Sequence, residues 1–190
     1  TAAYEVPTLN ERNNSPADYC TLYRERYLPG RTRNLAKGAK VIWSIQPAEK
    51  YKILGETALT DELYGGTTFV DSWVGWSGSD GSFVLDMGEE KDISSIEADF
   101  LHQLGAWILL PKKVSYSISS NNAEYQAFGV KVLEEDRSPQ VKFVGIKCES
   151  DTPVSARYIK VDVEGVITCP SWHYGVGYPA WFFIDEVTVR

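Results

Sequence analysis

The sequence predicts an all-β, antiparallel sandwich or barrel, and three observations carry that reading. From Val41 onward apolar residues recur with a period of two, the spacing of a strand with one buried face. Clusters of Gly, Pro, Asn and Ser interrupt the pattern at short intervals, and no stretch sustains a helical repeat. With 190 residues, the chain is long enough for one domain whose core closes without disulfides or metal.

Taken in order, residues 1–38 stand apart from this pattern. Asn10 to Pro16 is polar, Thr21 to Arg33 is rich in arginine, and Tyr19 to Tyr27 has the length for two helical turns before Pro29-Gly30. The segment is expected to be a connector that packs on a β-sandwich module of residues 39–190, with Tyr23, Tyr27 and Leu28 as anchors. Phe83, Leu85 and Met87 then alternate with Val84 and Asp86, and Gly88-Glu89-Glu90 closes that strand. Ile96, Ala98 and Phe100 mark the next, and Val114, Tyr116 and Ile118 alternate with serines as far as Ser120-Asn121-Asn122. Phe128, Val130 and Val132 lead into a charged turn, Glu134 to Pro139, followed by Val141, Phe143 and Gly145. Ile159, Val161 and Val163 face away from Tyr158, Lys160 and Asp162, and the last run, Trp181 to Arg190, is apolar on both faces. Such a series of short strands is that of a sandwich.

Charge and length exclude several functions. The 26 acidic residues outnumber the 19 basic ones, for a net charge of -7, and no basic stripe offsets the repulsion of a phosphate backbone or an anionic membrane. The longest apolar runs, Ala106 to Pro111 and Ala180 to Ile184, fall far short of the roughly 20 residues that span a bilayer. A chain that opens at Thr1 is expected to be a piece of a longer, processed protein. Cys20, Cys148 and Cys169 are odd in number; either all three are free thiols or Cys148 and Cys169 bridge neighbouring strands.

Catalytic signatures are missing. There is no HExxH, no phosphate-binding loop and no nucleophile elbow, because Gly75-Trp76-Ser77-Gly78 brings its second glycine one place early. The acids Glu134, Glu135 and Asp136 share a hydrated turn, where nothing makes them face one another across a cleft as glycoside hydrolysis requires. Two other carboxylates sit where they demand a partner. Asp61 precedes the glycine-bearing segment Tyr64 to Thr68, and Glu186 lies inside the final apolar strand, where strict alternation puts it with Phe182 and Ile184 and sets Asp185 with Phe183 and Val187. A buried, unpaired carboxylate costs several kcal/mol, so a hard cation such as calcium, a basic side chain or an exposed strand edge must relieve it.

The 24 aromatics, against only two histidines, favour binding over catalysis. Some alternate along strands. Others cluster beside glycines: Trp73 and Trp76, His102 to Trp107, and Trp172, His173 and Tyr174 with Tyr178. An aromatic plate under the C–H face of a sugar, with polar groups around its rim, is how such rings hold carbohydrate. His173 is expected to be the more exposed histidine, because Gly175 and Gly177 imply a loop.

Leu59-Thr60-Asp61, Trp73 to Trp76, Phe83 to Gly88, Trp107 to Pro111, Arg157 to Val161 and Phe183 to Val187, in this order, resemble the discoidin-like (coagulation factor five/eight type C) domains and family 32 carbohydrate-binding modules. Cys169-Pro170-Ser171-Trp172-His173 with Ala180 to Phe183 is similar to the C-terminal module of β-N-acetylhexosaminidase-like (putative chitobiase) proteins of gut Bacteroidetes. The resemblance, over about Asn34 to Arg190, implies an eight-stranded, galactose-binding-domain-like jelly-roll sandwich with ligand-binding loops at one end. It also implies a structural Ca2+ held by Asp61, Thr67 and Glu186, with Thr68 and carbonyls near Leu59 and Tyr64 as lesser candidates; Glu62 stands where the family usually has Gly. The expected function is a non-catalytic carbohydrate-binding module of a secreted or surface glycoside hydrolase, extracellular, periplasmic or on a bacterial cell surface. Its expected partners are a galactose- or N-acetylhexosamine-containing glycan, bound through Trp73, Trp76, His102, Trp107, Trp172, His173 and Tyr174, and the catalytic domain of the same polypeptide. The alternative is a structural module that packs on the catalytic domain without binding sugar.

Overall fold

The computed structural model describes residues 34–52, 55–70 and 72–190, and the expected anchors Tyr23, Tyr27 and Leu28 lie outside them. Seven strands follow in order: β1 (Lys40–Ile45), β2 (Val74–Ser77), β3 (Gly81–His102), β4 (Lys113–Ser119), β5 (Gln126–Val132), β6 (Lys142–Glu164) and β7 (Trp181–Val189). All pair antiparallel, in the order β2-β7-β3-β6-β4-β5, with β1 added to β3. Among the described residues no helix is long and apolar enough to cross a membrane.

Two strands expected from the sequence on either side of Gly88 are one strand. Residues 81–86 of β3 pair with β1 and with residues 158–163 of β6, whereas residues 95–102 pair with residues 142–149 of β6 and with β7. Gly88-Glu89-Glu90 is therefore a corner rather than a closing turn. Between Asp86 and Lys91 four residues of β3 oppose Arg157 alone, and between Ile93 and Ser95 the excess lies on β6. Extra residues bend a ladder, so the β3–β6 pair passes from one layer into the other. Gly88 takes the left-handed conformation (φ 81°), and Asp86 holds the corner by accepting from Gly88 N (2.8 Å) and, bidentately, from Arg157 (2.7 and 2.9 Å). Arg157 in turn holds the Asp86 carboxyl below its ordinary range.

The main core fills the space between the layers. Phe83, Leu85, Ile96, Ala98, Phe100, Val114, Ile159, Val161, Phe182 and Ile184 are all buried in it. Tyr116, fully buried on β4, crosses this core: its hydroxyl donates to Ile146 O of β6 (2.5 Å) and accepts from Ala98 N of β3 (3.1 Å). A second cluster of Trp73, Leu101, Ile108, Val141 and Phe183 covers the outer side of β7 and β3, which is why β7 is apolar on both faces. Cys148 sits in the main core and Cys169 in a third cluster with Leu109 and Ala180, so both are buried free thiols and do not bridge each other. Cys20 lies outside the described residues.

Tyr116→Phe tests the inter-layer tie. It leaves Ala98 N–H and Ile146 C=O unpaired in a dry core, so urea unfolding should show a loss of about 1–3 kcal/mol with an unchanged m-value.

Candidate functional site

Strict alternation fails at the one place in β7 where it matters. Phe100 pairs with Ile184 and Ala98 with Val187, so Asp185 and Glu186 together oppose the single residue Asp99. This bulge returns Val187 and Val189 to the main core beside Phe182 and Ile184, correcting the expectation that Val187 faces the other way. Both carboxylates are fully buried. Asp185 accepts from Gly65 N (2.8 Å). Glu186 accepts from Asn34 Nδ2 at Oε1 (2.9 Å) and from Glu62 N at Oε2 (3.2 Å).

Asn34 uses its whole amide. It also donates to Val187 O (3.0 Å) and accepts from Ala36 N and Val189 N (each 2.9 Å). Residues 34–38, the end of the expected connector, thus lie against β7, where Leu35 N also bonds Val189 O. Glu62, in the place of the family's glycine, adopts the left-handed backbone conformation (φ 62°) that favours Gly, and Lys37 pairs with its side chain (2.5 Å).

No cationic side chain reaches Glu186 among the described residues. Burial first, and the nearby Asp61 carboxylate second, push its carboxyl up to about 8, and burial likewise raises Asp61. No cluster of three or more His, Cys, Asp or Glu side chains is gathered for a metal among the described residues. A cation here would need neutral oxygens as well. A buried carboxylate with a second, half-buried one beside it has the donor chemistry of a hard divalent ion. Thr67 is buried on the same loop, whereas the Leu59 carbonyl already accepts from Val187 N (2.8 Å).

The aromatic residues separate into two groups. Trp73 and Trp76 are not ring plates for a ligand: they are 2% and 1% exposed. Trp73 stacks on Phe143, Trp76 stacks on Phe182, and their indole N–H groups donate to Gly66 O and Ile45 O. His102 is fully buried at the end of β3. Its Nε2 bonds Ser138 O (2.9 Å), and burial lowers its pKa, so it pins the 133–141 loop to the sheet as a neutral ring. Trp73 and Trp76, beside and in the edge strand β2, are covered by Phe143 and Phe182, and His102 ends β3, a central strand paired on both sides.

The other four converge at one end of the sandwich. Residues 104–107 form a short 3-10 turn in which Trp107 takes a left-handed conformation (φ 62°), which a bulky residue rarely adopts. The loop between β6 and β7 folds over it. Gly175 lies so close to the Trp107 ring that a Cβ would come within 2.9 Å of it. Tyr178 and Tyr174 flank that indole at 5.4 and 6.4 Å, and the Tyr174 hydroxyl donates to Gly105 O (2.6 Å). His173 is the loop's pin rather than an exposed group: Nε2 bonds Leu104 O and Nδ1 accepts from Gly175 N, each at 3.0 Å. Tyr174 and Tyr178 remain 70% and 61% exposed.

Arg137, in the charged turn between Glu134 and Pro139, completes this end. Its guanidinium lies 4.9 Å from the Trp172 ring centre and bonds Glu135 (2.7 Å). The Trp172 indole and Arg137 together hold the Glu135 carboxyl below its ordinary value. A cleft of about 310 Å³ opens between Trp172, Tyr174, Arg137, Pro139 and the 104–105 turn. A cation lying over an indole, inside a turn of alternating charge, was the signal available for it.

No protein-family model and no curated protein matches the chain. Solved structures do. A family 32 carbohydrate-binding module, CBM32-1, from a family 31 glycoside hydrolase of Clostridium perfringens superposes with a TM-score of 0.55 at 17% identity, covering 83% of this chain and 97% of that one. The CpGH89CBM32-6 module produced by the same organism gives 0.52 at 16%, over 83% and 98%. A fucolectin from striped bass (Morone saxatilis) serum gives 0.52 at 15%, over 83% of this chain and 48% of that one. At these identities the likeness establishes the fold alone, an antiparallel β-sandwich of the kind these modules have.

The Glu186 carboxyl sets a pH dependence for chelator-treated protein. Below pH 4.5 it is protonated in both folded and unfolded states. Between 4.5 and about 8 the unfolded chain releases the proton and the folded chain keeps it, so stability falls as pH rises through this window. Denaturant unfolding at pH 5 and pH 8 should show that loss, amounting to several kcal/mol, and Glu186→Gln should remove most of it.

Proposed function

We propose that this chain is a non-catalytic carbohydrate-binding module of a glycoside hydrolase. The observation that carries the reading is the convergence of Trp107, Trp172, Tyr174 and Tyr178 at one end of the sandwich, beside a cleft lined by Arg137, which pairs with Glu135. A pyranose stacks its C–H face on the exposed tyrosines, and its hydroxyls bond the Arg137–Glu135 pair and the loop carbonyls. Both histidines act by positioning loops. The superposition on modules described as parts of glycoside hydrolases supports this reading.

The Cys169 to His173 motif and Ala180 to Phe183 support a β-N-acetylhexosaminidase-like parent outside the cell, and hence a galactose- or N-acetylhexosamine-containing glycan. Asp61 and Glu186, with Thr67 and loop carbonyls, hold a structural calcium whose charge offsets the two carboxylates and fixes the loops tied to the β7 bulge.

A second reading has its own support: His173 and Tyr174 spend their polar atoms within the loops. That suits a module whose exposed tyrosines pack on the catalytic domain and bind no sugar.

Titration with galactose, N-acetylgalactosamine and N-acetylglucosamine separates the two. Millimolar binding is expected, and Tyr178→Ala should weaken it about tenfold, a loss of about 1.4 kcal/mol, without lowering Tm. Absence of binding with and without calcium selects the packing module. For the metal, calcium should raise Tm and chelation should lower it, and Glu186→Gln should abolish that response.

A further inference from the structure

Three clefts lie in series across the aromatic end. The one beside Trp172 and Tyr174 adjoins a second, of about 350 Å³, across the 133–139 loop: Asp136 and Pro170 line one side where Arg137 and Trp172 line the other. This second cleft meets a third, of about 480 Å³, at Lys112 and Ile167, which line both. Ile167 is 42% exposed at that junction, and its backbone carbonyl is held by Ala180 N (3.1 Å), so the side chain is presented from a fixed base.

The lining changes along the series. Aromatic rings dominate the first cleft, aliphatic side chains such as Leu110, Val166 and Ile167 the second, and acids and hydroxyls such as Asp80, Ser82 and Asp162 the third. None is a closed apolar pocket of the kind that holds a compact hydrophobic ligand. Shallow apolar surfaces followed by oxygen acceptors suit a stiff chain whose every unit offers a C–H face and a ring of hydroxyls. Six carboxylates line the series, against Lys112, Lys113 and Arg137. The excess is negative, and it repels a chain that carries its own carboxylates or sulfates.

We infer that the site is an extended groove for an uncharged oligosaccharide of several residues, running from Trp172 past Ile167 to Asp162, and that it discriminates against polyanionic glycans. The inference rests on the carbohydrate-binding reading and adds chain length and charge to it. Ile167 is the platform of the middle subsite. Lys113 and Glu164, paired at 2.9 Å, and Ser82 and Asp162, paired at 2.6 Å, fix the acceptors of the far one.

Calorimetric titration of the whole chain tests it, with N-acetylglucosamine, galactose, the β1,4-linked tetramer of each, and tetragalacturonate. At least one neutral tetramer should bind tenfold or more tightly than its monomer. Ile167→Ser should reduce that gain to threefold or less and leave monomer affinity unchanged. Trp172→Ala should weaken monomer and tetramer alike. Tetragalacturonate should bind at least tenfold more weakly than the neutral tetragalactoside at low salt, with the gap narrowing as salt is added. Equal affinity for monomer and tetramer, a gain that survives Ile167→Ser, or tight binding of tetragalacturonate overturns the groove while leaving a single-sugar site intact. Binding of none of these sugars overturns the carbohydrate reading itself.

Discussion

The bulge in β7 is the constraint on which much of this structure depends. Two adjacent carboxylates in a strand covered on both faces would ordinarily be too costly to keep. Placing both opposite Asp99 shifts the register by one, so that Val187 and Val189 still reach the core while Asp185 and Glu186 turn toward loops. Each carboxylate then needs donors, and the donors come from elsewhere in the chain: Gly65 for Asp185, Asn34 and Glu62 for Glu186. Two segments remote in sequence, around Asn34 and from Glu62 to Gly65, are thereby fastened to one strand. Glu62 accepts an unfavourable backbone conformation to make its contact, which indicates how strongly that site is over-determined by its surroundings.

The opposite logic operates at the aromatic end. No buried charge organises it; rings and neutral hydrogen bonds do. His102 pins the 133–141 loop, His173 pins the β6–β7 loop to Leu104, and Gly175 lets that loop sit directly on Trp107. Three loops of different origin are held against one another before any ligand arrives. Rings fixed in this way lose little rotamer freedom on binding, which lowers the entropic cost that keeps single-sugar affinities weak.

Much of this was legible in the sequence, and what was not has identifiable physical causes. Period-two alternation located the strands, because each presents one face to the main core. It misread Gly88-Glu89-Glu90 as a closing turn, since a glycine in the left-handed conformation serves a corner as well as a hairpin. It also misread the sides of β7, because a bulge leaves no mark in an apolar run. The acids at Asp61 and Glu186 were visible as residues in need of a partner; that Asn34 and the Glu62 amide would supply it was not, because those bonds span more than 120 residues. Of the aromatic clusters, the one on the β6–β7 loop leaves rings exposed, Tyr174 and Tyr178. Trp73 stands just before β2 and Trp76 within it, and the packing that covers both belongs to tertiary structure.

Length of ligand and number of modules are two ways of raising a weak affinity, and the structure bears on both. A module confined to one pyranose depends on tethering to an enzyme, where effective concentration multiplies a poor intrinsic constant. A groove that touches several consecutive sugars gains affinity within one chain instead. It also favours binding along the interior of a glycan over its terminus. The aromatic end here has the means for the second. In the inferred groove, acids are paired with Lys113, Arg137 and Lys142. Acceptors fixed before binding need no reordering when a hydroxyl arrives, so each further sugar adds its contacts at little entropic cost.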